Sequence, residues 1–302
     1  MFGNYSGGKD LTPFPRRPGR GIACALFLAL AGAFWGAPAS ADAVMIQPKS
    51  LQNANPFSTL VGRPREKDEE RRGRPTIERY VLASDDRAFL FEDRGREARV
   101  QFLCTPSDPR LDCAIDPHGA AAEIYALTAT RGPRGDVIYK NVQGDALLRI
   151  ASYGGATVFW PGEPRGLAAS KSFGDEHSLE LTFTDHETAL RRAQAATAII
   201  SALTGAPIVF EPGPPPAGVE GANAAVLADA VVTAAKGLHI VSDDPTGARV
   251  IASRIRKVVF IPDVAATVRL DGAVLEIGYV PMRDIDGRPS SAAVARFLED
   301  TL

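Results

Sequence analysis

Hydrophobic and polar positions change rhythm twice along this chain, and the changes divide it into elements. From Ile77 the rhythm is that of strands. Ile77 to Leu82, Ala88 to Phe91 and Ala98 to Leu103 are short runs rich in branched and aromatic residues. Asp85-Asp86 and Asp93-Arg94-Gly95 mark the turns between them. Glu123 to Thr130 and Asp136 to Asn141 flank Gly132-Pro133-Arg134-Gly135, a hairpin signal. Leu147 to Ser152 and Ala156 to Trp160 flank Gly154-Gly155, a second hairpin. Ser178 to Thr184 alternates, with Leu179, Leu181 and Phe183 on one side. The pattern predicts a meander of seven or eight antiparallel strands.

The period then becomes helical. Thr184 and Glu187 form a capping box, and Leu190, Ala193, Thr197, Ile200 and Leu203 recur at helical spacing. Almost every position from Ala195 to Leu203 is apolar or small, so this half of the helix is expected to be buried all round. Gly205 and Pro207 stop it. A short strand, Ile208 to Phe210, leads into the stiff connector at 212–216, and a sub-boundary can fall at 212–221. Asn223 opens a helix that runs through Lys236 and closes at Gly237. Leu238 to Val241, Val250 to Ile261, Thr267 to Leu270 and Val274 to Tyr279 read as strands, with Asp271-Gly272 as a hairpin turn. Ser290 or Ser291 caps a last amphipathic helix that carries Val294, Phe297, Leu298 and Leu302. The expected architecture is α+β: a mostly antiparallel, curved sheet of short strands with about three helices, over 77–302.

The N-terminal region has the rhythm of neither strand nor amphipathic helix. Lys9, Arg16, Arg17 and Arg20 precede an uncharged run from Ile22 to Gly36, and Ala39-Ser40-Ala41 follows. A basic start, a run too short to span a bilayer and a small-x-small site together predict a signal peptide over 1–41, cut before Asp42. Arg16-Arg17 is followed by Pro18-Gly19, which departs from the twin-arginine pattern, and Cys24 lies too early in the apolar run for a lipidation site. Residues 42–76 read as a polar and charged linker, disordered for want of apolar residues to bury. The expected address is periplasmic or secreted, in a bacterium. No membrane-spanning run remains after cleavage.

Cleavage removes four basic residues and one acid, taking the formal charge from −2 to −5. A mildly acidic chain offers no footprint for nucleic acid. Of three cysteines, Cys104 and Cys113 lie in the mature chain, within a Pro- and Asp-rich stretch that turns readily. In an oxidising compartment they are expected to form a disulfide.

Candidate chemistry is sparse. His186-Glu187-Thr188-Ala189-Leu190 has Leu where a zinc peptidase needs its second His. His177, Asp185 and His186 remain candidates for a metal-assisted site, although His177 and Asp185 would stand roughly 26 Å apart on a straight strand at ~3.3 Å per residue. His118 reads as a turn residue and His239 as a strand residue. There is no G-x-S-x-G elbow, no phosphate-binding glycine loop, and outside the leader no S-x-x-K. No cofactor is expected. Tyr153 and Trp160 flank the second hairpin and could offer a stacking surface to a sugar or peptide.

The Tyr153-Gly154-Gly155-Ala156-Thr157 turn, the Asp136-Val137-Ile138-Tyr139 strand before it and the Ala-rich helix after it resemble a family of exported alphaproteobacterial proteins with a domain of unknown function. The resemblance spans roughly residues 77–300 and implies export and a compact α+β domain. It carries over no activity and no catalytic residue. The expected function is a non-catalytic protein of the periplasm or cell envelope, a binding or structural module whose partner is an envelope component or another envelope protein. The alternatives are a periplasmic hydrolase and a carbohydrate- or peptide-binding domain.

Overall fold

The computed structural model describes residues 76–106, 108–116, 122–163, 165–174, 178–214 and 224–302. The leader, its cleavage site and the linker up to residue 75 lie outside the described residues, as does His177.

Eight antiparallel strands run in sequence order: β1 (Thr76–Leu82), β2 (Ala88–Asp93), β3 (Glu97–Phe102), β4 (Ile124–Arg131), β5 (Val137–Lys140), β6 (Ala146–Ile150), β7 (Ala156–Val158) and β8 (Leu167–Ser172). β8 pairs with β1, from Arg79 opposite Ser172 to Leu82 opposite Ala169, so the sheet closes into a barrel. The expected curved sheet thus curves until its edges meet. β8, sequence Leu-Ala-Ala-Ser-Lys-Ser, has no strand pattern of its own. Its two neighbours impose the extended conformation, a case of pairing overriding propensity.

Alternation along the strands fills the barrel. Tyr80, Phe89, Phe91, Phe102, Tyr139 and Trp160 point into one buried cluster. Tyr80 stacks on Phe89 at 5.0 Å between centroids, and Phe91 meets Tyr139 edge-on at 4.7 Å. Eight strands leave an interior just wide enough for side chains, and these aromatics occupy it.

The second layer is a four-stranded sheet in the order β11-β12-β10-β9, with helices against it. Its strands are β9 (Val209–Pro212), β10 (Lys257–Pro262), β11 (Thr267–Asp271) and β12 (Val274–Tyr279). The β9, β10 and β12 strands are parallel, and β11 joins β12 through the Asp271-Gly272 hairpin. Five α-helices are described: α1 (Leu111–Ile115), α2 (His186–Thr204), α3 (Ala225–Ser242), α4 (Pro245–Arg254) and α5 (Ser291–Thr301). That is two more than expected.

Three expected elements take other forms. Ser178 to Thr184 is not a strand, because a closed barrel has no edge for it to pair with. It crosses the barrel's outer wall instead, and side chains serve as its pairing partners. Leu179 N donates to Glu92 Oε2 at 3.1 Å, Leu181 N donates to Asp284 Oδ1 at 2.7 Å, and Arg99 donates to the Leu179 carbonyl. Leu179 is buried and Phe183 is 70 % exposed. Leu238 to Val241 belongs to α3, and Val250 to Arg254 belongs to α4. Short apolar runs look alike in buried helices and buried strands. The Asp244-Pro245 pair starts α4, with the Asp244 carboxylate accepting from Thr246 N and Gly247 N.

The buried stripe of α2 is also rotated from the expected one. Ala189, Arg192, Ala193, Ala196 and Ile200 are buried, while Leu190 and Leu203 are partly exposed. Small residues on that stripe let α2 approach α3 closely, which moves the leucines aside. Asp185, not Thr184, is the N-cap.

Helix α3 passes the length and composition test for a membrane span, yet it is the central core helix and is buried nearly throughout. Gly237 does not end it. A Cβ there would lie 2.5 Å from the Val294 Cβ and 2.9 Å from the Ser291 carbonyl oxygen, so the glycine permits the crossing of α5.

Two stability measurements check this packing. Gly237→Ala should destabilise the protein by about 1–3 kcal/mol in urea unfolding, because the clash outweighs the roughly 1 kcal/mol gain in helix propensity. The observed Cys104–Cys113 disulfide closes a short loop, and a Cys104→Ala/Cys113→Ala variant should lose about 2.5–3 kcal/mol on the chain-entropy model. A Gly237→Ala variant as stable as wild type would contradict the crossing.

Candidate functional site at the seam between barrel and helices

Helix α1 lies in the long β3–β4 connection, and the disulfide pins it. The Cys104 and Cys113 Cα atoms are 5.6 Å apart. Arg110 precedes α1 and reaches back to the carbonyls of Phe102 and Leu103 at 3.1 and 2.9 Å. Its guanidinium and that of Arg87 both lie over the Trp160 ring, at 5.2 and 4.9 Å from the centroid.

With α1 fixed this way, Asp112 meets Lys236 of α3. Lys236 Nζ donates to Asp112 Oδ2 at 3.0 Å and to the Tyr125 hydroxyl oxygen at 2.7 Å, and lies 3.2 Å from Glu123 Oε2. Glu123 also accepts from Ser291 N at 3.0 Å and Ser291 Oγ at 2.6 Å, at the start of α5. One turn-pair earlier on α3, Asp229 pairs with Arg288, which also donates to the Ile124 carbonyl at 3.0 Å. Asp112, Glu123, Asp229, Lys236 and Arg288 are all buried. The cluster bridges α1, β4, α3, α5 and the short 3-10 turn Asp284–Gly287.

Electrostatics hold Asp112, Glu123, Lys236 and Arg288 in the charge states they already have at neutral pH. Burial pushes the Asp112 carboxyl up, but the Lys236 ammonium and the Arg110 guanidinium outweigh it, and the net shift is downward. Burial likewise opposes Glu123, and Lys236, Arg288 and the Ser291 hydrogen bonds bring it below its ordinary value. For Lys236, burial acts against the charge, and Tyr125, Glu123 and Asp112 together raise it well above a free lysine. Burial and the Glu123 charge push the Tyr125 phenol up, so it stays protonated.

Two members of this cluster, Tyr125 and Arg288, line a cleft. A cavity of about 220 Å³ is lined by Tyr125, Asn141, Gln143, Asp286, Arg288 and Ser290, among others. A second, of about 170 Å³, shares Ala126, Val142, Ile285 and Asp286 with it and continues along β3 and β4 past Arg99 and Thr128. Asp284 stands beside this groove with φ +50°, in left-handed backbone. Both of its carboxylate oxygens are engaged, one by Leu181 N and the other by Arg99 at 2.6 Å. Tyr125 accepts from Lys236, and its own proton has no acceptor among the described residues. The cleft is therefore lined by the half-buried Tyr125, by amide and hydroxyl groups and by a buried guanidinium.

The residues singled out from the sequence lie elsewhere. Asp185 is exposed and caps α2, accepting from Thr188 N at 2.8 Å and Thr188 Oγ1 at 2.6 Å, bonds that hold its carboxyl below the ordinary range. His186 is the first residue of α2, and its Nδ1 is buried without a hydrogen bond among the described residues. Among the described residues, one group of three metal-capable side chains converges, Cys104, Asp108 and Cys113, and its two cysteines are bonded to each other. Tyr153 is 88 % exposed at the β6–β7 turn, whereas Trp160 is 4 % exposed inside the barrel, so the two do not share a surface. His239 lies in the last turn of α3.

The seam residues are scattered along the sequence, and one local signal marks two of them. Asp229 and Lys236 are the charged residues in an otherwise apolar and alanine-rich helix, seven apart and so on one face. Charges in such a helix are buried, and buried charges are paired.

A family model described as a domain of unknown function (DUF4908) matches residues 56–298. No curated protein matches, and no solved structure matches.

The lysine can be tested by pH. Asp112 and Glu123 titrate lower when folded, so their contribution is present above about pH 4 and is lost as pH falls. Lys236 titrates higher when folded, so its contribution is full below about pH 10 and is lost only above that. Lys236→Met should cost about 3–5 kcal/mol at pH 7, because it strands two buried carboxylates. Near pH 4 those carboxylates protonate, and the deficit relative to wild type should narrow. Denaturant unfolding at both pH values measures it; a deficit independent of pH would refute the pairing.

Proposed function

The chain belongs to the DUF4908 family, and from that premise we propose that it is an exported, non-catalytic module of the bacterial cell envelope that binds its ligand in the cleft over Tyr125. The observation that carries this reading is the state of the seam. Asp112, Glu123, Lys236 and Arg288 are held away from neutrality by one another, whereas acid–base catalysis calls for a group that titrates near the working pH. A locked network of this kind suits a rigid binding surface. Tyr125 offers a hydroxyl donor backed by the Lys236 ammonium, and Asn141, Gln143 and Ser290 offer neutral polar groups around it. A ligand that fits brings a hydrogen-bond acceptor to Tyr125 and buries a small group, since the cavity is below the size of most drug-like sites.

Export is supported by the Lys9–Ala41 leader pattern and by the Cys104–Cys113 bridge, which is suited to an oxidising compartment. The Asp136–Tyr139 and Tyr153–Thr157 resemblance adds the bacterial source.

Two measurements on protein from its own host test the reading. Intact mass should show an N-terminus at Asp42 and a closed disulfide, in the periplasmic fraction. A soluble envelope extract should raise the melting temperature of wild type by a few degrees through mass action, and Tyr125→Phe or Gln143→Trp should abolish the rise. Full-length protein with free thiols in the cytosol would overturn the export. An undiminished rise in both variants would overturn the cleft.

A further inference from the structure

Strand β4 outruns its neighbour. β5 ends at Lys140, opposite Thr128, so Ile124 to Leu127 have no ladder on that side. The sheet still closes around the barrel, and the mismatch is a step in its rim rather than a free strand. Alternation decides which groups the step exposes. Ala129 N donates to the Arg96 carbonyl on the β3 side, and Gly132 N donates to the Asp136 carbonyl on the β5 side. In an antiparallel pair such bonds recur at every second residue. Tyr125 and Leu127 therefore bond towards β3, while Ile124 and Ala126 point away from it. The Ile124 carbonyl accepts from Arg288. The Ala126 N–H and C=O have no partner among the described residues. Where β5 would continue, the chain turns back instead, with Asn141 N donating to the Asp145 carbonyl at 2.9 Å.

This step opens into the cleft. Ala126, Val142, Ile285 and Asp286 line both of its cavities, and Val142 is 81 % exposed. The cations of the lining are engaged: Arg94 with Glu92 and Glu180, Arg99 with Asp284, and Arg288 with Asp229. Its other charges, Glu97 and Asp286, are exposed acids with no ion pair among the described residues. Arg96, Lys140 and Arg283 are near in the chain, and none of them lines either cavity.

We infer that the ligand of this cleft is an extended, basic peptide segment whose main chain pairs with Ala126. The inference rests on the proposed cleft and names the class of ligand it takes. In a hydrogen-bonded antiparallel pair, two residues exchange both of their bonds. One residue of an incoming strand therefore meets both Ala126 groups, whereas a sugar ring presents no amide pair at this spacing. Strand addition draws affinity from such main-chain bonds and selectivity from the side-chain contacts beside them. Here the unpaired carboxylates of Glu97 and Asp286 favour lysine or arginine, and Val142 and Ile285 offer apolar contact.

The experiment is titration calorimetry of the protein as its host makes it, with three acetylated and amidated peptides. They are Lys-Val-Lys-Val-Lys-Val, its Glu-Val counterpart, and the Lys-Val peptide with every amide N-methylated. Wild type should bind the Lys-Val peptide and prefer it to the Glu-Val peptide. N-methylation should weaken binding about tenfold, the worth of a lost main-chain hydrogen bond. Ala126→Pro removes an N–H that the fold does not use, so it should melt as wild type does and bind about tenfold more weakly. Glu97→Gln/Asp286→Asn should weaken the Lys-Val peptide about fivefold and erase most of the preference. Should Ala126→Pro melt early, the N-methylated peptide decides the main-chain role without any change to the protein. Equal affinity for the Lys-Val and Glu-Val peptides overturns the inference, as does undiminished binding of the N-methylated peptide or no binding at all. Wild-type affinity in a folded Ala126→Pro variant overturns it too. The cleft itself is judged separately: stabilisation by envelope extract that Gln143→Trp abolishes, with no peptide bound, keeps the cleft and rejects the peptide.

Discussion

Lys236 holds the two layers of this protein in register. A single ammonium group meets Asp112 from the helix inserted after β3, Glu123 from the entry to β4 and Tyr125 from β4 itself. Taking one cation and two carboxylates out of water is costly, and mutual attraction repays that only in good geometry. Leucines could fill the same volume at no greater cost. What apolar packing cannot do is choose one register, because a greasy barrel wall would accept α3 at several offsets. A lysine that must meet three partners from two segments accepts one. Arg288 repeats the logic a short distance away, linking Asp229 of α3 to the Ile124 carbonyl.

Closure of the barrel explains several features that seem unrelated. Once β8 meets β1, no ladder edge remains on the barrel, so the segment at 178–184 must satisfy its backbone with side chains. Glu92, Arg99 and Asp284 serve that purpose, which is why a glutamate is fully buried on the outer wall. The open sheet solves its edge differently. Phe210 N donates to Thr197 Oγ1 and Ile208 N donates to Ser201 Oγ, so hydroxyls of α2 cover the free side of β9. An exposed edge invites pairing with another chain, and this one is blunted.

Much of the barrel was legible in the chain. Alternation and turn residues place seven of its strands, because inward and outward faces meet different solvents. The eighth was not legible, since Leu167–Ser172 is extended only by virtue of its neighbours. The failures in the second half share one cause. Around Leu238 and Val250 the apolar runs are only a few residues long, too short for their period to separate helix from strand, even though Ile240 is 43 % exposed and Ile251 is the one residue of α4 that is buried. The disulfide was readable from local spacing, whereas the seam was not, because its five ionisable residues are scattered from 112 to 288 and only the fold brings them together.

The same physics separates where this protein can act from where it cannot. The barrel interior is filled by Tyr80, Phe89, Phe91, Phe102 and Trp160, and the seam charges are engaged by one another. Ligand chemistry is therefore pushed outward, to groups that the fold leaves with unused capacity. In the proposed reading Tyr125 is such a group, because its hydroxyl accepts from Lys236 and its own proton has no acceptor among the described residues. A rigid centre with unspent polar capacity at its flank is what the proposed binding reading calls for, since rigidity reduces the ordering entropy that each contact must overcome.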